Sequence, residues 1–333
     1  MMNYFMGIDV SKSTLDVALV KGGEVLLEIK ILNQSKAIGQ LIKELKNLHV
    51  PMEDLVVCLE HTGIYCLIAL EIFHKKGIKI CLERALQIKQ SQGMTRGKSD
   101  KLDARRIALY ALKNQQELTF WKPQRPIIQK LRMLLSIRER LVRSRVQLGM
   151  PAQEAKGFVE KSLVRELQRS TRKVLRTIQA EIKTVENRLM QLLTEDSTLK
   201  EQFKQVTSVP GVGPVTALHM IVSTNEFTRI TEAKKFACYA GVAPFEHSSG
   251  SSIRGKTRVS KMANMTIKKL LHLAAMSAIK TCEETRTFYL RKVADGKNKM
   301  SVINAVRNKL ISRVFACVRE QREYQKIYKH ALA

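Results

Sequence analysis

The chain has no CxxC pair. Its six cysteines stand singly at positions 58, 66, 81, 238, 282 and 317, and none of its seven histidines falls into an HxxxH or similar spacing. Zinc-finger sites, which need ligands paired at short intervals, are excluded by that pattern. The cysteines read as small apolar core residues of a reducing compartment. The opening Met-Met-Asn-Tyr-Phe-Met-Gly-Ile-Asp lacks the basic start and apolar centre of a secretory signal, and no run approaches the ~20 apolar residues of a membrane span. A soluble cytoplasmic protein is expected, with no membrane partner. Acids are also scarce: 30 Asp+Glu stand against 58 Lys+Arg, a formal charge of +28 and a pI near 10.0. Such an excess repels itself in a compact fold unless a polyanion neutralises it, and phosphate backbones are the commonest cellular polyanions. Nucleic acid is therefore the expected partner. The 333 residues, 44% of them hydrophobic, leave room for two or three domains with ordinary cores.

Against this shortage of acids, Asp9 sits inside the apolar run Met6-Gly-Ile-Asp9-Val, where a buried strand is expected. A lone buried carboxylate needs a cation or hydrogen-bond donors beside it, or else must be protonated. Leu15, Val17 and Leu19, then Val25, Leu27 and Ile29, alternate about Gly22-Gly23 in a β-hairpin pattern. A first strand with a central Asp followed by an antiparallel hairpin is how an RNase H-like nuclease sheet begins. Ile38, Leu41, Ile42 and Leu45 then predict an amphipathic helix up to Pro51. The continuous apolar run Leu55–Glu60 predicts a strand buried on both faces, a helix follows from about Tyr65 to Lys75, and Ile78–Leu82 supplies a further strand. That is a βαβ unit, and Glu60 stands at the carboxyl end of its first strand, where ligands of such sheets collect. Downstream, Arg96–Leu112 reads as a loop entering a helix, with Asp100 and Asp103 on one side of it. Taken alone, Ser99 or Asp100 could be an N-cap and Asp103 a first-turn acid suited to the helix dipole. Taken with Asp9 and Glu60, they complete a set of four acids.

Trp121-Lys-Pro-Gln-Arg-Pro126 marks a domain boundary. The region beyond it is nearly free of glycine and proline apart from Gly149-Met-Pro151 and Gly157. Ile178, Ile182, Val185, Leu189 and Leu192 form a heptad seam, with a looser one at Leu131, Leu134, Leu141 and Leu148. Two long helices are expected, paired as a hairpin or with another subunit. Arg132, Arg138, Arg140, Arg143, Arg145, Arg165, Arg169, Arg172, Lys173 and Arg176 decorate them with too few acids for balance, which favours a phosphate-contacting surface over a merely solvated face. Val206–Ile221 resembles a helix-hairpin-helix segment, in which Gly211 and Gly213 would let the backbone approach a phosphate; a plain tight turn between helices would look similar. Glu246–Lys261, rich in Ser and Gly, reads as a loop whose Arg254, Lys256, Arg258 and Lys261 would neutralise phosphate. A serine beside such cations is the environment of a phosphoryl-transfer nucleophile.

Four crowded carboxylates would raise one another's pKa and destabilise the fold unless divalent cations sat among them, and an all-oxygen set suits Mg2+, with Mn2+ as its substitute. The motifs Gly7-Ile-Asp9-Val-Ser-Lys, Leu59-Glu60-His-Thr-Gly63-Ile-Tyr65, Lys98-Ser-Asp100-Lys-Leu-Asp103-Ala-Arg105, Val209-Pro-Gly-Val-Gly213, Ala240-Gly-Val-Ala-Pro244 and Ser249-Gly-Ser-Ser-Ile-Arg-Gly255 through Ser260-Lys261 resemble, in order, those of the DEDD transposases of the insertion-sequence-110 family, relatives of pilin-gene invertases. The resemblance spans nearly the whole chain. It implies an α/β RNase H-like (RuvC-like) metal-binding domain over 1–120, a coiled-coil linker and oligomerisation region over 121–204, and a mainly helical transposase domain over 205–333. It implies metal binding by Asp9, Glu60, Asp100 and Asp103. It makes Ser249 the nucleophile that becomes joined to DNA, with Ser248 and Ser251 as neighbouring alternatives. It also implies donor and target DNA, a non-coding bridge RNA as guide, and a homodimer or homotetramer. The rival readings are a junction nuclease using water, an inactive nucleic-acid scaffold, and a site-specific invertase.

Overall fold

The computed structural model describes residues 3–91, 100–249, 253–259 and 263–325, with the side chains of 100–101, 245–249 and 253–258 outside that description. The chain divides into two compact units, Met1–Pro123 and Gln124–Ala333.

In the first unit, β1 (Tyr4–Val10), β2 (Thr14–Lys21) and β3 (Glu24–Leu32) run as an antiparallel meander. Helix α1 (Ser35–Asn47) leads to β4 (Leu55–Glu60), and α2 (Leu67–Lys75) leads to β5 (Lys79–Glu83); α3 (Ala85–Gln90) and α4 (Asp100–Lys113) follow. The sheet order is β3-β2-β1-β4-β5, with β4 parallel to both β1 and β5. This mixed sheet is the RNase H-like fold anticipated from Asp9 and the hairpin, and β4-α2-β5 is the anticipated βαβ unit.

Alternation along the strands sorts the side chains into two layers. Met6, Ile8 and Val10, with Leu15, Val17 and Leu19, pack against Ile38, Leu41, Ile42 and Leu45 of α1 and Ala69, Leu70 and Phe73 of α2. The opposite face carries Phe5, Val56, Cys58 and Cys81, which pack against Ile107, Tyr110 and Ala111 of α4. Gly7 belongs to this second face. A Cβ there would lie 2.1 Å from the Ala104 carbonyl oxygen and 2.3 Å from the Ala108 nitrogen, so only glycine lets α4 press directly on β1.

The second unit opens with two long helices, α5 (Pro126–Glu154) and α6 (Lys161–Glu195). They lie antiparallel, as the pairs Arg138–Glu186 (2.7 Å) and Arg145–Gln179 require. Ile128, Leu131 and Leu135 of α5, with Leu189, Leu192 and Leu193 of α6, join the unit's core. That core is built mainly from α7 (Ser197–Thr207), α8 (Pro214–Thr224), α9 (Ala233–Tyr239), α10 (Met265–Thr281) and α12 (Lys299–Arg319), with α11 (Glu283–Ala294) beside α10 and α12. Arg125 fixes the start of α5 through Asp196 (2.7 Å) and Glu226 (2.9 Å), and the Asp196 side chain also caps α7 by accepting from the Leu199 N–H.

One expectation is corrected. The stretch 246–261, read as a loop from its serines and glycines, contains a β-hairpin: β6 (Pro244–Ser249) pairs antiparallel with β7 (Ile253–Val259). Residues Ile253, Thr257 and Val259 are β-branched, and the cations between them at 254, 256 and 258 hide the two-residue period from a reading of composition.

Candidate functional site

The first unit gathers its acids at one end of one sheet face. Asp9 is two residues beyond Gly7, and so points to the layer occupied by α4. Glu60 ends β4 with the same parity as Val56 and Cys58. Asp103 lies on α4 next to Ala104, the residue whose carbonyl oxygen closes over Gly7. The electrostatics register this convergence: the Glu60 carboxyl is pushed up by burial first, then by the negative charges of Asp9 and Asp103. Asp103 is held by Arg106 at 2.9 Å. Asp100 is the first residue of α4.

Two acids on the same face went unnoticed in the sequence. Asp16 is the register partner of Asp9 on β2, only 5% exposed, and is paired with Lys30 at 3.2 Å. Glu83 is the register partner of Glu60 on β5. Strand register would have found both, because directly opposed residues share a face. Among the described residues no three His, Cys, Asp or Glu side chains stand close enough together to form a ready-made metal cage. The donor chemistry of Asp9, Glu60 and Asp103 nonetheless fits a hard divalent cation, since their mutual repulsion is what such a charge would relieve.

In the second unit the serines and cations share the hairpin. Ser248 stands opposite Arg254 and Ser249 opposite Ile253, while Arg254, Lys256 and Arg258 take alternate positions of β7. Lys261 and Ser251 lie outside the described residues. Gly211, at φ +89°, turns the chain between α7 and α8. Its open side is filled by α10: a Cβ would meet the Ala274 carbonyl oxygen at 2.4 Å and Ala278 at 2.7 Å. No atom lies within 4 Å of a Cβ built at Gly213, which caps α8. Of the two glycines, only Gly213 has open space where a side chain would begin.

The basic decoration of α5 and α6 also divides. Arg132 donates to the Val222 carbonyl, Arg138 pairs with Glu186, and Arg143 pairs with Glu139 at 3.0 Å. These three are engaged within the chain. Arg165, Arg169, Arg172 and Arg176 instead line a groove of about 690 Å³ together with Gln153 and Gln179, and none of the four has a carboxylate partner among the described residues. Their spacing of four, three and four residues places them in one stripe along α6.

Two family models match the chain. One, described as transposase of the IS116/IS110/IS902 family, covers residues 204–290, and the other, a transposase model for the DEDD enzymes of IS110, covers residues 6–155. The chain belongs to the IS110 family of transposases. It is a DNA-cleaving and rejoining enzyme. Among its relatives, the pilin gene-inverting protein of Moraxella bovis is 25% identical over 98% of this chain and 99% of its own length. The transposase for insertion sequence element IS1111A of Coxiella burnetii is 25% identical over 68% of each chain. A solved structure of T. thermophilus RuvC in complex with a Holliday junction substrate aligns with 36% of this transposase and 99% of that chain, at 15% identity and a TM-score of 0.28. No helix among the transposase's described residues is long and apolar enough to cross a membrane.

Proposed function

We propose that the transposase inserts and excises its own mobile element through two cooperating centres: a metal site built from Asp9, Glu60, Asp100 and Asp103, and Ser249 as the nucleophile. The observation that carries this reading is the convergence of Asp9, Glu60 and Asp103 at one end of one sheet face, where burial first and then the charges of Asp9 and Asp103 push the Glu60 carboxyl up. All four acids fall inside the region matched by the DEDD model, and Ser249 falls inside the other matched region. A divalent cation, Mg2+ with Mn2+ in its place, would neutralise charge developing on the attacking and leaving oxygens. The chain's own residues do the rest. Ser249 Oγ loses its proton and bonds to a DNA phosphorus, and the displaced strand leaves as a free hydroxyl. Attack by the hydroxyl of the exchanged strand then restores the serine. Arg254, Lys256, Arg258 and Lys261 balance phosphate charge, Gly213 admits a backbone phosphate at the start of α8, and the α6 arginine groove takes a nucleic-acid backbone. The bridge RNA is the proposed guide pairing with donor and target DNA, and a dimer or tetramer is the proposed working form.

Strand exchange on a plasmid carrying the element's ends tests this. Asp9→Asn and Ser249→Ala should both abolish recombination, and only proteins retaining the serine should trap a covalent DNA adduct. A recombining Ser249→Ala would move the nucleophile to another group or to water. The end-to-end similarity to a pilin gene-inverting protein favours one second reading, inversion of a DNA segment in place of transposition; the products formed from inverted and separated sites distinguish the two.

A further inference from the structure

Arg307 of α12 is only 6% exposed, yet no carboxylate faces it among the described residues. One Nη meets His272 Nδ1 on α10, the other reaches Asn304 Oδ1 at 3.4 Å, and Nε has no partner. Because a guanidinium only donates, His272 Nδ1 must be the acceptor, which leaves the imidazole neutral with its proton on Nε2. Burial pulls the pKa of Arg307 down, and burial together with the Arg307 charge does the same to His272. A buried cation of this kind is expensive, and an apolar side chain of equal length would ordinarily serve the core better.

Its surroundings are equally one-sided. His272, Asn304 and Asn308 are half-exposed around it, and Lys268 stands one turn before His272 on α10. Asn304 and Asn308 donate to the Val242 carbonyl oxygen, at 2.8 and 3.4 Å. Val242 lies two residues before Pro244, where the serine-bearing hairpin begins. The cluster therefore offers imidazole, amide and cationic donors around an uncompensated charge, at the root of β6.

We propose that Arg307, with the half-exposed His272 and the two asparagines beside it, is an anion site that holds one backbone phosphate of the bound nucleic acid at the root of the hairpin. The five residue steps from Pro244 to Ser249 span ~17 Å of extended strand. The phosphate held here is thus a different one from the phosphate that Ser249 is proposed to attack. Arg307 is a positioning residue that fixes the register of the strand. The proposal rests on nucleic-acid binding by the transposase and not on the serine assignment.

The test uses the full chain with Arg307→Met and Arg307→Lys, free of any cleavage step, so a failed serine assignment leaves its result intact. Thermal unfolding is followed with and without inorganic sulfate, and binding of duplex DNA and of structured RNA is titrated against salt. In Arg307→Met the melting temperature should hold or rise, the stabilisation by sulfate should be smaller than in the parent at low sulfate, and affinity should fall about tenfold. The slope of log K against log salt should become shallower by ~0.9 for duplex DNA, or ~0.7 for a single strand. Whichever nucleic acid shows the loss is the one seated there. Arg307→Lys should keep the slope while weakening binding several-fold, which decides the matter should the Met variant not fold. A lower melting temperature with unchanged sulfate response and salt slopes, or a Lys variant that binds as the parent does, overturns the proposal and makes Arg307 an internal strut.

Discussion

At Gly7 a single methyl group would collide with the Ala104 carbonyl oxygen 2.1 Å away. Gly7→Ala must therefore push α4 off β1, and overpacking of this kind costs ~2–3 kcal/mol or more. Chemical denaturation should show that loss in the first unit, and because α4 carries Asp103 the variant should also lose recombination activity. Gly7 and Asp9 are two residues apart, so the glycine that admits the helix and the acid that uses it are positions of one strand face. Asp9 and Glu60 were legible in the sequence because a carboxylate in or at the end of an apolar strand is chemically out of place. Asp16 and Glu83 were not, since only the strand register puts them opposite Asp9 and Glu60. Gly211→Ala should destabilise the second unit by a similar amount, read by the same denaturation, as its Cβ would meet both a strained φ of +89° and the backbone of α10.

At the scale of elements, α6 has two faces with separate purposes. Ile182, Leu189, Leu192 and Leu193 bury one of them, while Arg165, Arg169, Arg172 and Arg176 line an open groove on another. Like charges at a spacing of four residues weaken a helix by a few tenths of a kcal/mol each, so the stripe stands at a small cost that the proposed nucleic-acid backbone would reverse. The double variant Arg169→Gln/Arg172→Gln should leave helicity unchanged or slightly higher. Its binding to duplex DNA should lose about two phosphate contacts, a salt slope shallower by ~1.8, measured by titration at several salt concentrations. Helix periodicity predicted the two long helices from their apolar spacing, but it could not tell Arg132, bonded to the Val222 carbonyl, from Arg172, lining the groove. Likewise the hairpin β6-β7 was hidden by serine and glycine, whose composition fits a loop as well as a strand.

At the scale of the molecule, separate cores in the two units give separate responses to pH. In the second unit burial lowers the pKa of His219 on α8, with the Glu139 charge opposing. The unfolded chain, with an ordinary histidine pKa of about 6.5, takes up the proton first. Stability from this group is therefore complete above pH ~6.5 and is lost as pH falls from there through the lower folded value. In the first unit burial raises the pKa of Tyr110 to about 12, with Glu83 adding to it. That contribution is complete below the ordinary value of about 10 and is lost as pH rises from 10 through 12. Denaturation midpoints across pH should show His219→Gln flattening the acid limb and Tyr110→Phe the alkaline limb. Residues 1–123 expressed alone should unfold cooperatively, as their two core layers are complete within that span.

The sequence by itself determined the order of β1 to β5 with α1 and α2 among them, the two long helices and the excess of positive charge, and it pointed to four acids as a candidate set. Hydrophobic periodicity and the cost of burying a carboxylate are local properties, readable residue by residue. The tertiary structure decided that Asp9, Glu60 and Asp103 converge, that Gly211 serves the packing of α10 while Gly213 stays open, and which arginines lack acidic partners among the described residues. It alone placed the uncompensated charge of Arg307 beside His272, 35 residues away along the chain. Burial and pairing depend on what the rest of the chain brings into contact, and no spacing along α12 records that.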